Sequence, residues 1–458
     1  MTRALPVGSV LIVGFRMAGE ALAAHLLATG WQVVAVDDAP ANGMGDRARA
    51  MGIELLAHPG ADDLHRLVAA VDVVAPSPGI PVGHPVFAAA AEAAVPVLGE
   101  LELAWRSIDV PVVAVTGTNG KTTVTTLVAL ALQASGQRVL AAGNIGVPLV
   151  SAVGADLDVV VAEVSSFQLQ FVDGFRPAVA VWLNLAPDHL DWHPDEASYA
   201  AAKARIWERQ GPGDVAVVNA YDPVIMALAA GAPGDVVTFS LQPGGHTGFR
   251  GAGADWTVVD GTLRGPGGPV VSVSDLPRSL PHDLANALAA AAAATAAGAT
   301  PEGIRSALTG FAGLPHRLTL VGEAAGIRFY DDSKATNPHA AVAAVQAFDS
   351  VVLVAGGRNK GLDLGALADA AVVSRIRSVV AIGEAGPEVT AVFDGVRPVQ
   401  SATSMDEAVR LAAAAARAGD AVVLSPGCAS FDWYGSYAQR GDDFARAVRA
   451  LLQEEGAP

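Results

Sequence analysis

The chain has 458 residues, 52% hydrophobic and 16% charged, with a formal net charge of -17 and one cysteine, Cys428. That length exceeds one ordinary core and points to three domains of roughly 100 to 200 residues each. The lone cysteine excludes a disulfide framework or a thiolate metal cluster and fits a reducing cytoplasm, and the negative balance excludes nucleic acid or an anionic membrane surface as partner.

At the N-terminus, residues 9–14 (SVLIVG) and 32–37 (QVVAVD) read as strands on either side of a helical ALAAHLLATG that Gly30 closes. VDVVAPSPG from 71 and VPVLG from 95 add two strands, giving a small doubly wound, Rossmann-like sheet over residues 1–108. Arg16 and Glu20 follow the first apolar run at once and leave no uninterrupted signal-peptide core. The turn GFRMAG keeps Gly14 and Gly19 at dinucleotide spacing, but Arg16 stands where a second glycine lets backbone approach a pyrophosphate. A nicotinamide cofactor is therefore not expected, and Arg16 reads either as a counter-charge or as a solvated arginine.

A second series over residues 109–313 runs through PVVAVTG, RVLAAGN, DVVVAEVSS, AVAVWLN and DVAVVN, fully apolar strands of the kind buried on both faces of a parallel sheet. Glycine-rich, alternating sequence from Val237 to Pro277 predicts appended β-hairpins. LANALAAAAAATAAGAT from Leu284 is alanine-dominated and shorter than the ~20 strongly apolar residues of a bilayer span, so it reads as a packed helix, with no membrane insertion. A third series over 314–458, GIRFYDDS, SVVLVAGG, SVVAIG and DAVVLSPG, alternates with alanine-rich helices. The fold class predicted is α/β: a Rossmann-like domain, a central ATPase-like parallel sheet with a phosphate loop and hairpins, and a second Rossmann-like domain.

AVTGTNGKTTVTTL, residues 114–127, is a strand, a glycine turn and a helix opening on Lys-Thr. Free backbone N–H groups and the helix N-terminus can hold a phosphate there, Lys121 can reach the β/γ oxygens and Thr122 can ligate Mg²⁺. The longer pattern wants a glycine where Val115 stands, so the match is to the shorter TGTNGKT form. Glu163, after DVVVA, falls at the same sheet edge and is the first-choice acidic ligand, since a hard cation shares oxygen donors with phosphate. His189 lies in DHLDWH with Asp188, Asp191 and His193; alone, such a histidine is more often structural than a ligand. Lys203, on the alanine-lined SYAAAKARIWE, would ordinarily be a snorkelling surface residue, yet a lysine held near cations could be neutral and reactive.

TGTNGKT, GNIG at 143–146, EVSSFQL at 163–169, NLAPDHLDWH, and LPHR at 314–317 followed by DDSKATNP resemble the Mur ligases, and LSPGCASFDWY extends the likeness across all three predicted domains. The resemblance implies ATP-dependent amide-bond formation through an acyl phosphate, joining D-glutamate to UDP-N-acetylmuramoyl-L-alanine in cytoplasmic peptidoglycan precursor synthesis, by a monomer using ATP and two Mg²⁺ ions. Gly117, Thr118, Asn119, Gly120, Lys121, Thr122 and Thr123 are then expected on the phosphates, and Thr122 and Glu163 on one Mg²⁺. His189 is expected to serve the second cation and to lie near the UDP substrate, with Lys203 contributing once carbamylated.

By the same likeness Ser77, Pro78, Gly79 and Ile80 form a uridine loop, and Asn144 meets the substrate's pyrophosphate and sugar. Asn286, Arg317, Asp332 and Lys334 approach ATP, and Lys121, Lys203, His189 and Arg317 carry the chemistry. Thr336, Lys360, Ser430, Phe431 and Tyr437 match the D-glutamate positions, although Phe431 and Tyr437 could equally be core aromatics. The two halves of the ATP site are thus expected on different domains, which requires closure. Departures from the family pattern are Asp283, where His-Asn-x-x-Asn is common, and VDDAP, which leaves Asp37 and Asp38 as the uracil candidates. Competing readings are a Mur ligase for another amino acid, a folylpolyglutamate-type ligase, a nucleotide-binding regulator that closes around ATP without forming an amide, and a Rossmann oxidoreductase.

Overall fold

The computed structural model describes residues 5–190, 192–241 and 254–455, so Asp191 and part of the predicted hairpin segment lie outside the described residues. Four strands, β1 (Ser9–Val13), β2 (Gln32–Asp37), β3 (Glu54–Ala57) and β4 (Val73–Pro76), make a parallel sheet in the order β3-β2-β1-β4. Six more, β5 (Val112–Thr116), β6 (Val139–Gly143), β7 (Val159–Glu163), β8 (Val179–Trp182), β9 (Val215–Asn219) and β10 (Asp235–Phe239), run parallel in the order β10-β9-β8-β5-β7-β6. The antiparallel strands β11 (Thr257–Val259), β12 (Thr262–Gly265) and β13 (Gly268–Ser272) are the hairpins. The last sheet holds β14 (Thr319–Ala324), β15 (Ile327–Asp331), β16 (Val351–Gly356), β17 (Ile376–Ile382), β18 (Val399–Ser401) and β19 (Ala421–Leu424), in the order β14-β15-β19-β16-β17-β18 with β14 antiparallel.

Each large sheet is covered on both faces, which is why its central strands are apolar throughout rather than alternating. In β5, Val113 and Val115 enter a core with Val124, Val128 and the buried Ala287–Ala294 stretch of the helix Pro281–Ala296, while Val112 and Ala114 enter another with Leu101, Trp105 and Trp182. The alanines let that helix lie close against its neighbours without side-chain entropy loss.

The strands that sequence pattern alone did not find, β3, β10, β14 and β18, are all edge strands. An edge strand can leave much of its surface to solvent, so the continuous apolar run that betrays a central strand is missing; the burial of β3 is intermediate or exposed at every position. Two expectations are corrected on this basis. VPVLG contributes only an isolated bridge, Val97 to Val74, and the segment from Asp235 adds a parallel strand to the central sheet before the hairpins begin.

Contacts divide the chain into two compact units, one of residues 1–185, 197–279 and 283–311, the other of 186–196, 280–282 and 312–458. The first contains the first three sheets and the second the last. Among the described residues no helix is long and apolar enough to cross a membrane.

Candidate functional site

In the first unit, β5 ends at Thr116 and the chain turns through Gly117 (φ 151°) and Gly120 (φ 86°) into the helix Lys121–Ala134, conformations that a side chain at either position would strain. Asn184 fastens this turn: its side-chain oxygen accepts from Asn119 N at 2.9 Å, its amide donates to Asn119 O at 3.0 Å, and its carbonyl accepts from Thr118 N at 3.1 Å. Asn184 was not singled out from sequence; its signal was an asparagine just past a buried strand, at the sheet edge where α/β sites gather.

Lys121 Nζ donates to Gly117 O and Thr118 O, each at 2.9 Å. Lys203, at the end of the helix Glu196–Ala204, is 1% exposed and its Nζ donates to the same Gly117 O at 3.0 Å, with the Tyr199 ring centre 4.6 Å away. The snorkelling reading of Lys203 is therefore wrong: two lysines from different helices converge on one carbonyl of the glycine turn. A Cβ on Gly120 would collide with the side-chain oxygen of Asn286, which puts that residue against the same turn.

Glu163, the last residue of β7, is 3% exposed. Its Oε1 accepts from Asn144 Nδ2 at 2.9 Å, and its Oε2 is buried with no hydrogen-bond partner. A buried acceptor without a donor is costly unless a cation or ligand meets it, so the donor chemistry at Glu163 fits a hard divalent ion. Thr122 and Thr123, both buried, begin the helix after Lys121.

In the first sheet, Ser77 Oγ donates to Gly14 O at 2.7 Å and Ile80 N donates to Ser77 O at 3.1 Å, so the SPGI turn is tied to the glycine turn after β1, with Pro78 and Gly79 between the tied ends. Asp37, 5% exposed, accepts from Phe15 N at 2.8 Å and Ala39 N at 3.0 Å, while Arg16 is exposed.

In the second unit, Asp188 is buried and accepts from Lys360 Nζ at 3.1 Å and Asn337 Nδ2 at 3.0 Å. Burial alone would raise its carboxyl, but Lys360, His189 and Asn337 together hold it below the usual aspartate range. His189 follows with φ 56°, a left-handed backbone that a non-glycine residue rarely adopts. Arg317 stands between two more such residues, His316 (φ 60°) and Leu318 (φ 46°), and His316 Nδ1 lies 2.6 Å from Asp331 Oδ2.

Asp332 is buried after β15, accepts from Ser425 Oγ at 2.8 Å, and is pushed up to about 7 by burial, against the pull of Ser425 and of the Arg317 charge. Lys334 Nζ sits 5.2 Å from the Tyr437 ring centre, and Thr336, half-buried, follows two residues later. Ser430 is buried, but Phe431 is 62% and Tyr437 36% exposed, so neither is a core aromatic. Arg440, missed from sequence because an arginine in the first turn of a helix carries no motif, is 1% exposed and donates to Ser333 Oγ, Ser333 O, Cys428 O and Ala429 O at 2.9 to 3.1 Å. It fastens the loop after Asp332 to the loop that carries Ser430.

Two family models match the chain: the Mur ligase middle domain over residues 115–294, and the Mur ligase glutamate ligase domain over 316–428. The chain is 45% identical to the UDP-N-acetylmuramoylalanine–D-glutamate ligase of Frankia casuarinae, covering 96% of this chain and 94% of that one. It is 42% identical to the ligase of the same name from Desulfosudis oleivorans, covering 98% and 97%. In fold it is similar to a pseudomurein peptide ligase type C from Methanothermus fervidus, with TM-score 0.61 and 18% identity over 98% of this chain and 99% of that one. The UDP-N-acetylmuramate-alanine ligase of Thermotoga maritima gives TM-score 0.58 and 19% identity over 97% and 100%.

Proposed function

The chain belongs to the Mur ligase family, and from that premise we propose that it joins D-glutamate to UDP-N-acetylmuramoyl-L-alanine in an ATP-driven reaction that releases ADP and phosphate. The observation that carries this reading is the convergence of Lys121 and Lys203 on the Gly117 carbonyl, beside a glutamate that keeps one buried oxygen unpartnered. We assign residues 1–108, 109–313 and 314–458 to three domains, in keeping with the three large sheets in chain order, and the work to the cytoplasm.

A carboxylate resists attack because charge and resonance protect its carbon. Its oxygen therefore first takes the γ-phosphoryl group: a new P–O bond forms to the acceptor, the bond to ADP breaks, and an acyl phosphate results. The amine of D-glutamate then attacks that carbonyl, loses a proton, and phosphate leaves. Lys121 draws the β/γ oxygens to the glycine turn, whose N–H groups and helix N-terminus hold the remaining charge. Mg²⁺, when bound, withdraws charge from the phosphate oxygens; Thr122 and Glu163 would hold one ion, and we assign His189 and a carbamylated Lys203 to a second. To the nucleotide we also assign Asn286, Arg317, Asp332 and Lys334. Ser77 to Ile80 and Asn144 are assigned to the UDP substrate, and Thr336, Lys360, Ser430, Phe431 and Tyr437 to D-glutamate.

The test is to incubate the protein with ATP, Mg²⁺, UDP-N-acetylmuramoyl-L-alanine and each of several amino acids. ADP and a new amide are expected with D-glutamate alone, and Lys203→Ala should lower that rate at least ~100-fold. A nucleotide-binding regulator would be indifferent to the lysine, and a Mur ligase of other specificity would answer to another amino acid.

A further inference from the structure

Asn144 does more in this fold than present an amide to a substrate. β6 and β7 end in register, Gly143 opposite Glu163. Gly143 has φ 98°, and a Cβ there would collide with the Glu163 carbonyl, so the loop leaves the sheet pressed against that residue. Asn144 then grips Glu163 twice, its backbone N donating to Glu163 O at 2.8 Å and its Nδ2 donating to Oε1 at 2.9 Å. Both carboxylate oxygens lie in a side chain that is 3% exposed, yet only Oε1 is satisfied.

We propose that Asn144 is a positioning residue for the cation: it fixes the Glu163 carboxylate by its first oxygen so that the second is presented to a divalent metal. This rests on the reading of Glu163 as a metal ligand. One amide is enough to decide the carboxylate's orientation: the two oxygens are equivalent, so whichever one takes the amide proton, the plane of the group is fixed and the other oxygen is left for the cation. An exposed asparagine at the start of the loop Asn144–Val147, which Gly143 N closes by donating to Val147 O at 2.8 Å, thereby ties the acceptor loop to the metal carboxylate. Outer-shell partners that orient a ligating carboxylate commonly account for 10- to 100-fold in metal affinity.

The experiment is Mn²⁺ binding to the full chain in the presence of saturating ADP, followed by electron paramagnetic resonance, for Asn144→Ala, Asn144→Ser, Glu163→Gln and the double variant Asn144→Ala/Glu163→Gln. Thermal melting confirms which are folded; the backbone bond from residue 144 survives every substitution, so Ser serves if Ala does not fold. The expected result is an approximately 10-fold loss of Mn²⁺ affinity in either Asn144 variant, and no further loss when Ala is added to Glu163→Gln, as a shared interaction requires. If Glu163→Gln weakens Mn²⁺ but the Asn144 variants bind it as tightly as the unaltered chain, the positioning role is overturned and the ligand assignment stands. If Glu163→Gln leaves Mn²⁺ affinity unchanged, the ligand assignment fails and the positioning role with it. Additive losses in the double variant would also overturn the proposal.

Discussion

Asp188 and Asp332 are both buried aspartates of the second unit, and their surroundings drive them in opposite directions. Asp188 has the Lys360 ammonium within 3.1 Å and is held below the usual range; Asp332 has a serine hydroxyl at 2.8 Å and is pushed up to about 7. Burial is common to both. What differs is the compensation: at Asp188 the Lys360 ammonium, with His189 and Asn337, outweighs desolvation, whereas at Asp332 the Ser425 hydroxyl and the Arg317 charge do not. The first arrangement keeps a charged pair out of water; the second keeps a group able to change its proton near neutral pH.

The strongest way to break this contrast is Lys360→Met, which leaves Asp188 buried without its cation. A loss of about 3 to 5 kcal/mol in unfolding free energy is expected, read from denaturant titration, and adding Asp188→Asn should restore most of it without restoring D-glutamate binding. If the single variant unfolds at the same midpoint as the unaltered chain, Lys360 is not what holds Asp188 charged.

The next largest effect sharpens the other side. Asp332 prefers its proton more strongly folded than unfolded, so its contribution is intact below about pH 4 and declines as pH rises through about 7. Asp332→Asn carries no such proton and should flatten the fall in stability between pH 5 and pH 8 by on the order of 3 kcal/mol. Glu100, pushed up to about 7 by burial although Val150 N donates to it at 2.8 Å, has the same sign and window. Glu100→Gln should therefore remove a further part of the slope, and an unchanged pH profile in both variants would refute the assignment of these protons.

The smallest effect is expected at Arg358, two residues before Lys360 on the same loop. Its pair with Glu384 at 2.8 Å joins side chains 49% and 56% exposed, where water screens the attraction. Arg358→Ala should leave the unfolding midpoint within experimental scatter. A drop as large as that of Lys360→Met would show that exposure does not separate the two pairs.

Much of the fold was legible in the sequence because the central strands are apolar on both faces and glycine marks their ends. The edge strands β3, β10, β14 and β18 were not, since an edge strand need not show a continuous apolar run. The phosphate loop was legible because a motif of seven residues, TGTNGKT, is local and its chemistry follows from its own backbone. Lys203 was visible only as an odd lysine, and its burial against Gly117 could not be read from an alanine-rich helix. Asn184 and Arg440 passed unremarked, and Asp188 was noted only as a neighbour of His189, because each acts on residues distant in the chain: Asp188 meets Lys360 across 172 positions and Arg440 meets Ser333 across 107.

The sequence by itself determined the order of the sheets, the glycine turn that receives phosphate and the family to which the chain belongs, because periodicity and short motifs are properties of neighbours along the chain. Only the tertiary structure decided which oxygen of Glu163 is spoken for, which aspartate keeps a cation beside it, and which lysine is sealed from water. Those outcomes depend on desolvation and on the few ångströms between groups far apart in sequence, and folding alone sets both.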